Sequence, residues 1–317
     1  MPPTWSVMIP TYHCAGYLRQ TLESVLAQDP GPEDMQIEVV DDASTEDDPA
    51  GVVAELGGGR VTFHRHPQNL GHVRNLNSCI QRSRGTLVHL LHGDDRVRPG
   101  FYAAMRRPFE DRPDVGAAFC RHAIIDENGR VLSISPLERK DPGVLEDWLP
   151  MITVRQRLQT PAMVVRRRVY ADVGGFDERI RASGEDWEMW VRIAARYPIW
   201  FEPDPLAEYR AHSISLKLRS YPSGQNVRDE RRVIEIIRSR LALDPDDPLV
   251  RRAMRLCAIA ALQRGRQAAL RGDLATARAQ LMEGWKTSHS PAVLARAIAL
   301  AVRGSLPFIR RRPKVTP

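Results

Sequence analysis

Two acidic residues in succession close a short apolar run in Leu90-Leu91-His92-Gly93-Asp94-Asp95. The stretch from Thr86 to Leu91 reads as a buried strand, and open α/β sheets bind ligands at the carboxyl ends of their strands. Adjacent carboxylates repel each other unless a cation or a donor-rich ligand sits between them. A hard divalent ion holding a diphosphate meets that need, because Mg2+ and Mn2+ favour carboxylate and phosphate oxygens. The plain alternative is a solvated Asp-Asp turn before Pro99. Other groups able to do chemistry stand in a fixed order around this turn. They are Pro10-Thr11-Tyr12, Val40-Asp41-Asp42-Ala43-Ser44-Thr45 and Asn69-Leu70-Gly71-His72-Val73-Arg74-Asn75 on its N-terminal side. On its C-terminal side stand Gly174-Gly175-Phe176-Asp177-Glu178, Gly184-Glu185-Asp186-Trp187 and Tyr209-Arg210-Ala211-His212.

Strands and helices in alternation would position these groups. Ser6 to Pro10 reads as a short strand that the proline closes. Tyr17 to Gln28 places Leu18, Leu22, Val25 and Leu26 at helical spacing. Ile37 to Val40 is a second strand, Val61 to Phe63 a third, and Asn75 to Ser83 a helix ended by Gly85 before the strand that carries the acids. Strand, helix, strand, helix in this order predicts a parallel sheet with right-handed crossovers. Beyond Pro99 the pattern is mixed. Val115 to Arg121 is a strand, Gly129-Arg130-Val131 suggests a hairpin turn, and Gln159 to Val165 runs towards Arg166-Arg167-Arg168. Asp186 to Tyr197 has helical spacing, with Trp187, Trp190, Val191 and Ala194 on one side. From Gln225 onward the chain reads as helix, interrupted at Asp244-Pro245 and near Ser290-Pro291.

The 317 residues, 43% hydrophobic and 27% charged, describe an ordinary globular composition with chain enough for one large or two modest domains. No apolar run approaches a membrane span, and the N-terminus lacks the pattern of a secretory signal. Cys14, Cys79, Cys120 and Cys257 have neither metal nor disulfide spacing, which suits reduced thiols in a cytosol. The net charge of +7 is unevenly spread: residues 223–317 hold 19 Lys and Arg against 8 Asp and Glu, whereas residues 1–222 hold 27 against 31. The turn-rich Tyr221-Pro222-Ser223-Gly224 places a boundary between residues 1–222 and a basic helical domain of residues 223–317. Within the latter, Leu270-Arg271-Gly272-Asp273 with Ala277, Leu281 and Pro291 resembles one tetratricopeptide helix pair.

The joint order of these motifs over residues 4–220 closely resembles the family 2 glycosyltransferases of the GT-A fold. That resemblance implies a Rossmann-like, mixed but mainly parallel sheet flanked by helices, followed here by a small all-α C-terminal domain. It also implies an inverting, divalent-metal-dependent transfer of a sugar from a UDP- or dTDP-type donor to a hydroxyl of a glycan, glycolipid or lipid-linked acceptor, in cell-surface polysaccharide synthesis. On the donor side, Pro10, Tyr12, Asp41, Asp42, Arg74, Asp94 and Asp95 are the implied residues. Asp41 would grip the nucleoside, and the Tyr12 ring offers a face on which a base can stack; half-buried packing is the other reading of Tyr12. Asp42 could instead cap its own turn, Arg74 could form a surface ion pair, and Asn75 could cap or brace its helix. The metal ligands implied are Asp94, Asp95 and His212, holding Mn2+ or Mg2+. The family commonly writes the acidic segment Asp-x-Asp, and His92 stands where the first acid would be.

On the acceptor side the resemblance implies Gly174, Gly175, Phe176, Glu185 and Trp187, with Asp186 as the general base. A base on one sugar face and a leaving group on the other implies direct displacement with inversion. The paired glycines could equally form a tight turn without ligand contact, Glu185 could serve as a helix-start acid, and Trp187 with Trp190 could divide between an acceptor platform and the core. Arg251, Arg252, Arg255, Arg264, Arg266, Arg271, Arg310-Arg311-Arg312 and Lys314 point to solvated helix faces or to an anionic membrane surface. The latter would place the protein peripherally on the cytoplasmic face, with Val293 to Val302 lying in the interface. Nucleic acid is not expected, since aromatic-basic interleaving is missing. The competing function is a catalytically silent GT-A domain that serves as a sugar-nucleotide-binding or membrane-associated scaffold, for which His92 is the support.

Overall fold

The computed structural model describes residues 3–180, 183–212, 220–291 and 293–295. The strands are β1 (Trp5–Thr11), β2 (Met35–Asp41), β3 (Thr62–Arg65), β4 (Leu87–Leu90), β5 (Arg96–Val97), β6 (Ala117–Ile125), β7 (Val131–Ile134), β8 (Gly143–Val144), β9 (Met163–Arg166) and β10 (Ile199–Arg210). The helices on the first half are α1 (Ala15–Leu26), α2 (Pro49–Gly57), α3 (His72–Arg82) and α4 (Phe101–Asp111). Those on the second are α5 (Trp148–Val154), α6 (Arg167–Val173), α7 (Glu185–Ala194), α8 (Gln225–Arg240), α9 (Pro248–Leu270) and α10 (Leu274–Thr287).

One ten-stranded sheet runs in the order β3-β2-β1-β4-β9-β6-β10-β5, with β7 paired to β6 and β8 to β10. The first four strands are parallel, as the alternation of strand and helix predicts. β9 is antiparallel to both β4 and β6, while β10 again runs parallel to β6. All the strands that carry the acidic motifs therefore end on one edge. β1 does not stop at Pro10 but continues to Thr11, in register with Asp41. The Pro10 carbonyl accepts from the Gly93 N–H at 3.0 Å. The donor that proline lacks would point to that same side, where β4 has already ended, so its loss removes no ladder bond.

Helices cover both faces, and the sheet is buried between two apolar layers. α1, α2 and α4 pack one face over Trp5, Val7, Ile9 and Ile37. α3, α6 and α7 pack the other, and that layer continues without a break into Val233, Ile237, Val250 and Cys257 of the C-terminal helices. The turn at residues 221–224 thus lies on the surface of a core that runs beneath it. α9 and α10 form an antiparallel pair at small residues: a side chain at Gly265 would lie 2.9 Å from Leu281, and one at Gly284 would lie 3.0 Å from Ala261. All four cysteines are free. Among the described residues no helix is long and apolar enough to cross a membrane. Arg310-Arg311-Arg312, Lys314 and most of Val293 to Val302 lie outside the described residues.

Candidate active site

The acidic turn after β4 is held from beneath. At Gly93 a side chain would meet Thr11 Oγ1 at 2.7 Å and Cys14 Sγ at 2.9 Å, so glycine lets the turn press against the end of β1. The Thr21 hydroxyl of α1 donates to the Asp95 carbonyl at 2.6 Å. Asp95 accepts the backbone N–H of Arg210 at 2.8 Å, and its second oxygen lies 3.4 Å from His92 Nδ1. Asp94 Oδ2 lies 2.8 Å from His212 Nε2, so β10 returns a histidine to the turn 118 residues later. Arg210, which the motif reading passed over in favour of His212, is almost wholly buried. Its guanidinium donates to the carbonyl of Asp94 and to Gln20 Oε1, and it lies 4.7 Å from the ring centre of Tyr17.

Charge in this cluster is divided unequally. Burial opposes a charge on His92, but the Asp95 carboxylate 3.4 Å away and the nearby carboxylates of Asp94 and Glu185 raise its pKa to about 9. Burial and the charge of Asp94 push Asp95 up to about 6. Burial also works against the Asp94 carboxylate, yet His212 and His92 hold its pKa below the usual range. The bond to Asp94 raises His212 in turn. Histidine at position 92 thus places an imidazole where the family motif has an acid.

The donor-side residues fall into two layers. Tyr12 is half exposed at the edge, its ring centre 3.9 Å from that of His13. Asp41 is fully buried, taking the Ser44 hydroxyl at 2.5 Å and the Arg65 Nε at 2.6 Å. Asp42 does not cap its own turn. It accepts the N–H groups of Leu70 at 2.7 Å and Gly71 at 3.0 Å, fixing the loop that enters α3. Asn75 is inside α3 rather than at its start, and ties the helix to β2 by donating to the Val40 carbonyl at 3.0 Å. Arg74 points to solvent and pairs with Glu178 at 2.8 Å, the surface ion pair of the plain reading.

α7 begins with Gly184 in the left-handed region, φ +92°, where a side chain would also meet Val233 of α8 at 2.9 Å. Glu185 Oε1 lies 2.9 Å from His72 Nε2, and the ring centre of His72 is 5.3 Å from that of His92. That chain of contacts brings the Glu185-Asp186 pair and the Asp94-Asp95 turn to one edge. Asp186 accepts the Trp187 N–H at 2.7 Å, Gln156 Nε2 at 2.5 Å and the Thr160 hydroxyl at 3.5 Å. Trp187 is buried, its indole N–H donating to the Ile152 carbonyl at 2.6 Å. Phe176 is likewise in the core, beside Tyr170 and Trp190. Gly175 leaves room for Asn77, whose Oδ1 would lie 2.5 Å from a side chain there. Asn77 brackets Phe176, accepting its N–H at 2.7 Å and donating to its carbonyl at 3.0 Å. Arg192 donates to the carbonyls of Val173 at 2.6 Å and Gly175 at 2.7 Å.

A divalent cation suits the turn. His92, Asp94 and Asp95 each bring one ligand atom within 4.8 Å of the others. Asp95 Oδ2, His92 Nε2 and His212 Nδ1 are buried without a hydrogen-bond partner among the described residues. Buried polar atoms left so are costly unless an ion, a proton or a ligand serves them.

A model described as glycosyl transferase family 2 matches residues 6–171, just over half of the chain. The chain is also 32% identical over 257 residues to the uncharacterised protein MT1568 of Mycobacterium tuberculosis, spanning 78% of each. The chain belongs to glycosyl transferase family 2. Two rickettsial relatives named as glycosyltransferases are matched over only about a third of their own length. Among solved structures, this family 2 chain is similar to S. aureus TarS in complex with UDP-GlcNAc, at TM-score 0.59 and 16% identity, covering 88% of this chain and 90% of that one. It is similar also to the mannosyltransferase PcManGT from Pyrobaculum calidifontis in complex with GDP-Man and Mn2+, at TM-score 0.57 and 19% identity, covering 95% and 81%. These likenesses establish the GT-A fold expected of a family 2 enzyme.

Proposed function

We propose that this glycosyltransferase is divalent-metal-dependent and inverting, moving a sugar from a nucleotide-diphosphate donor to a hydroxyl of a glycan, glycolipid or lipid-linked acceptor in cell-surface polysaccharide synthesis. The observation that carries the reading is the cluster of Asp94, Asp95, His92 and His212, joined through His72 to Glu185-Asp186 on a single sheet edge. Asp94, Asp95 and His212 would hold Mn2+ or Mg2+. Such an ion supplies Lewis-acid stabilisation of the charge that builds on the departing nucleoside diphosphate. A donor base would stack on the open face of Tyr12, above Asp41, Asp42 and the loops they brace. Gln156 and Thr160 aim the Asp186 carboxylate, which would take the proton of the acceptor hydroxyl as its oxygen attacks the anomeric carbon. Glu185 and His72 support the floor between the two substrates, and the loop held by Arg192 and Asn77 would border the acceptor.

The test is a hydrolysis and binding screen of UDP-, dTDP- and GDP-sugars with Mn2+, Mg2+ or EDTA, on wild type and Asp94→Ala. Metal-dependent turnover of one donor, reduced about a hundredfold or more in the variant, is the expected result. Binding without turnover of any donor, indifferent to EDTA, would favour the silent domain, for which His92 in place of the family's first acid is the support.

A further inference from the structure

The outer face of α10 is apolar and exposed. Leu274, Leu281, Met282 and Trp285 stand 40% to 71% accessible, whereas Thr276, Ala277, Gln280 and Glu283 face inward. Their spacing, i, i+7, i+8 and i+11, puts all four within one stripe about 100° wide. Leu270, at the end of α9, is 59% accessible as well. Isolated apolar side chains on a surface need no explanation, but leucine, methionine and tryptophan gathered on one helix face around a single arginine mark a contact face.

Charge selects the occupant. Arg278 lies within the stripe, Lys286 borders it and Arg271 precedes it; all three are exposed. Of the nearby acids, Asp273 caps the helix by accepting the Thr276 N–H at 3.0 Å, and Glu283 is turned inward to Arg231 at 3.2 Å and to Lys286 at 3.0 Å. Glu283 is also the last acidic residue of the chain; the residues after it include seven Lys and Arg. A second copy docked face to face would bring like charges together at the rim. The chain's own basic C-terminal residues meet the same repulsion. Nucleic acid would satisfy the cations but leave the leucines and tryptophan in water. An anionic bilayer surface satisfies both, taking the apolar side chains below the headgroups and the cations among them.

We propose that the outer face of α10 is a membrane-docking surface that seats the protein on anionic lipid. This does not depend on the reaction proposed above. The experiment is flotation of the full chain with phosphatidylcholine vesicles, with and without phosphatidylglycerol. The expected result is binding to the anionic vesicles only, weakened by salt and reduced about tenfold by Trp285→Glu or Met282→Glu. Circular dichroism and melting temperature should stay at the wild-type values. Leu274→Glu, at the most exposed position of the stripe, replaces either variant that fails to fold. Failure of the wild type to bind anionic vesicles overturns the proposal. So does binding that survives these substitutions but is lost when the chain is ended after residue 295. A wild-type dimer that Trp285→Glu dissociates, with no vesicle binding, would give the face to a second copy instead.

Discussion

Arg210 and Asp186 show how neutral partners set the position of charged groups at this site. The Arg210 guanidinium is buried, and among the described residues it is spread over the carbonyls of Asp94, Asp126 and Glu127 and the Gln20 side chain. Lysine retains the charge but has neither the planar fork nor the number of donors. Arg210→Lys should therefore lower the urea midpoint by an amount equivalent to about 2–3 kcal/mol, because buried carbonyls lose their partners. It should also weaken metal-dependent nucleotide binding measured by calorimetry. Asp186 is aimed by an amide and a hydroxyl, so Asp186→Asn preserves the shape of the pocket while removing the base. Turnover should fall about 100- to 10,000-fold with the donor dissociation constant nearly unchanged. An equal loss in both quantities would move Asp186 from proton transfer to donor binding.

At the scale of elements, β4 carries a buried imidazole one turn ahead of the acids. His89 Nε2 lies 2.9 Å from the Pro161 carbonyl, which can only accept, so that nitrogen bears the proton and Nδ1 accepts from the Tyr102 hydroxyl at 3.2 Å. Burial lowers its pKa to about 4. Between that value and the ordinary value of about 6.5 the unfolded chain binds the extra proton and the folded one does not. This contribution to stability is therefore full above pH 6.5 and declines as pH falls towards 4, reaching a loss of about 2 kcal/mol at pH 5. His89→Phe should flatten that part of the profile of urea midpoint against pH. The same element illustrates what a sequence can disclose. β1, β2 and β4 are legible because each is an apolar run ending in a motif. α3 begins at His72, not Asn75, because its start is fixed by Gly71 and by a carboxylate 29 residues away, which local spacing does not reveal. The direction of β9 is invisible in Met163-Val164-Val165, an apolar run that would suit either orientation. β10 is disguised by Pro203 and Pro205, which its bulged register accommodates. Gln156, Thr160, Asn77 and Arg192 went unread because a neutral or paired polar residue in a loop or helix has no distinguishing pattern; only the fold puts them against Asp186 and the glycine loop.

For the whole molecule, ion pairs and apolar packing cross the compositional break near residue 222. Arg240 of α8 reaches Asp177 at 2.9 Å and the fully buried Glu188 at 2.7 Å, and Glu188 in turn pairs with Arg192. The Arg179 and Arg240 guanidiniums hold Asp177 well below the usual carboxylate range, so this tie is present at neutral pH and fades as acid protonates it. With the apolar layer also continuous across the boundary, calorimetry of the full chain should show one unfolding transition. A chain ended after residue 222 should be insoluble or lack a cooperative melt, since Glu188 loses a cation and the core loses its cover. A soluble, cooperatively melting fragment would restore residues 1–222 as an independent unit. The pairing of Asp94 with His212 has a further bearing on biogenesis. At about 5–20 residues per second, translation delivers the histidine about 6 to 24 s after the aspartate it serves. For most of that interval the nascent chain holds its repelling carboxylates without β10, and thus without Arg210 to brace the turn. The candidate site is consequently among the last parts of the sheet to be assembled on the ribosome, and a chain stalled before residue 199 would carry the acidic turn with no completed site around it.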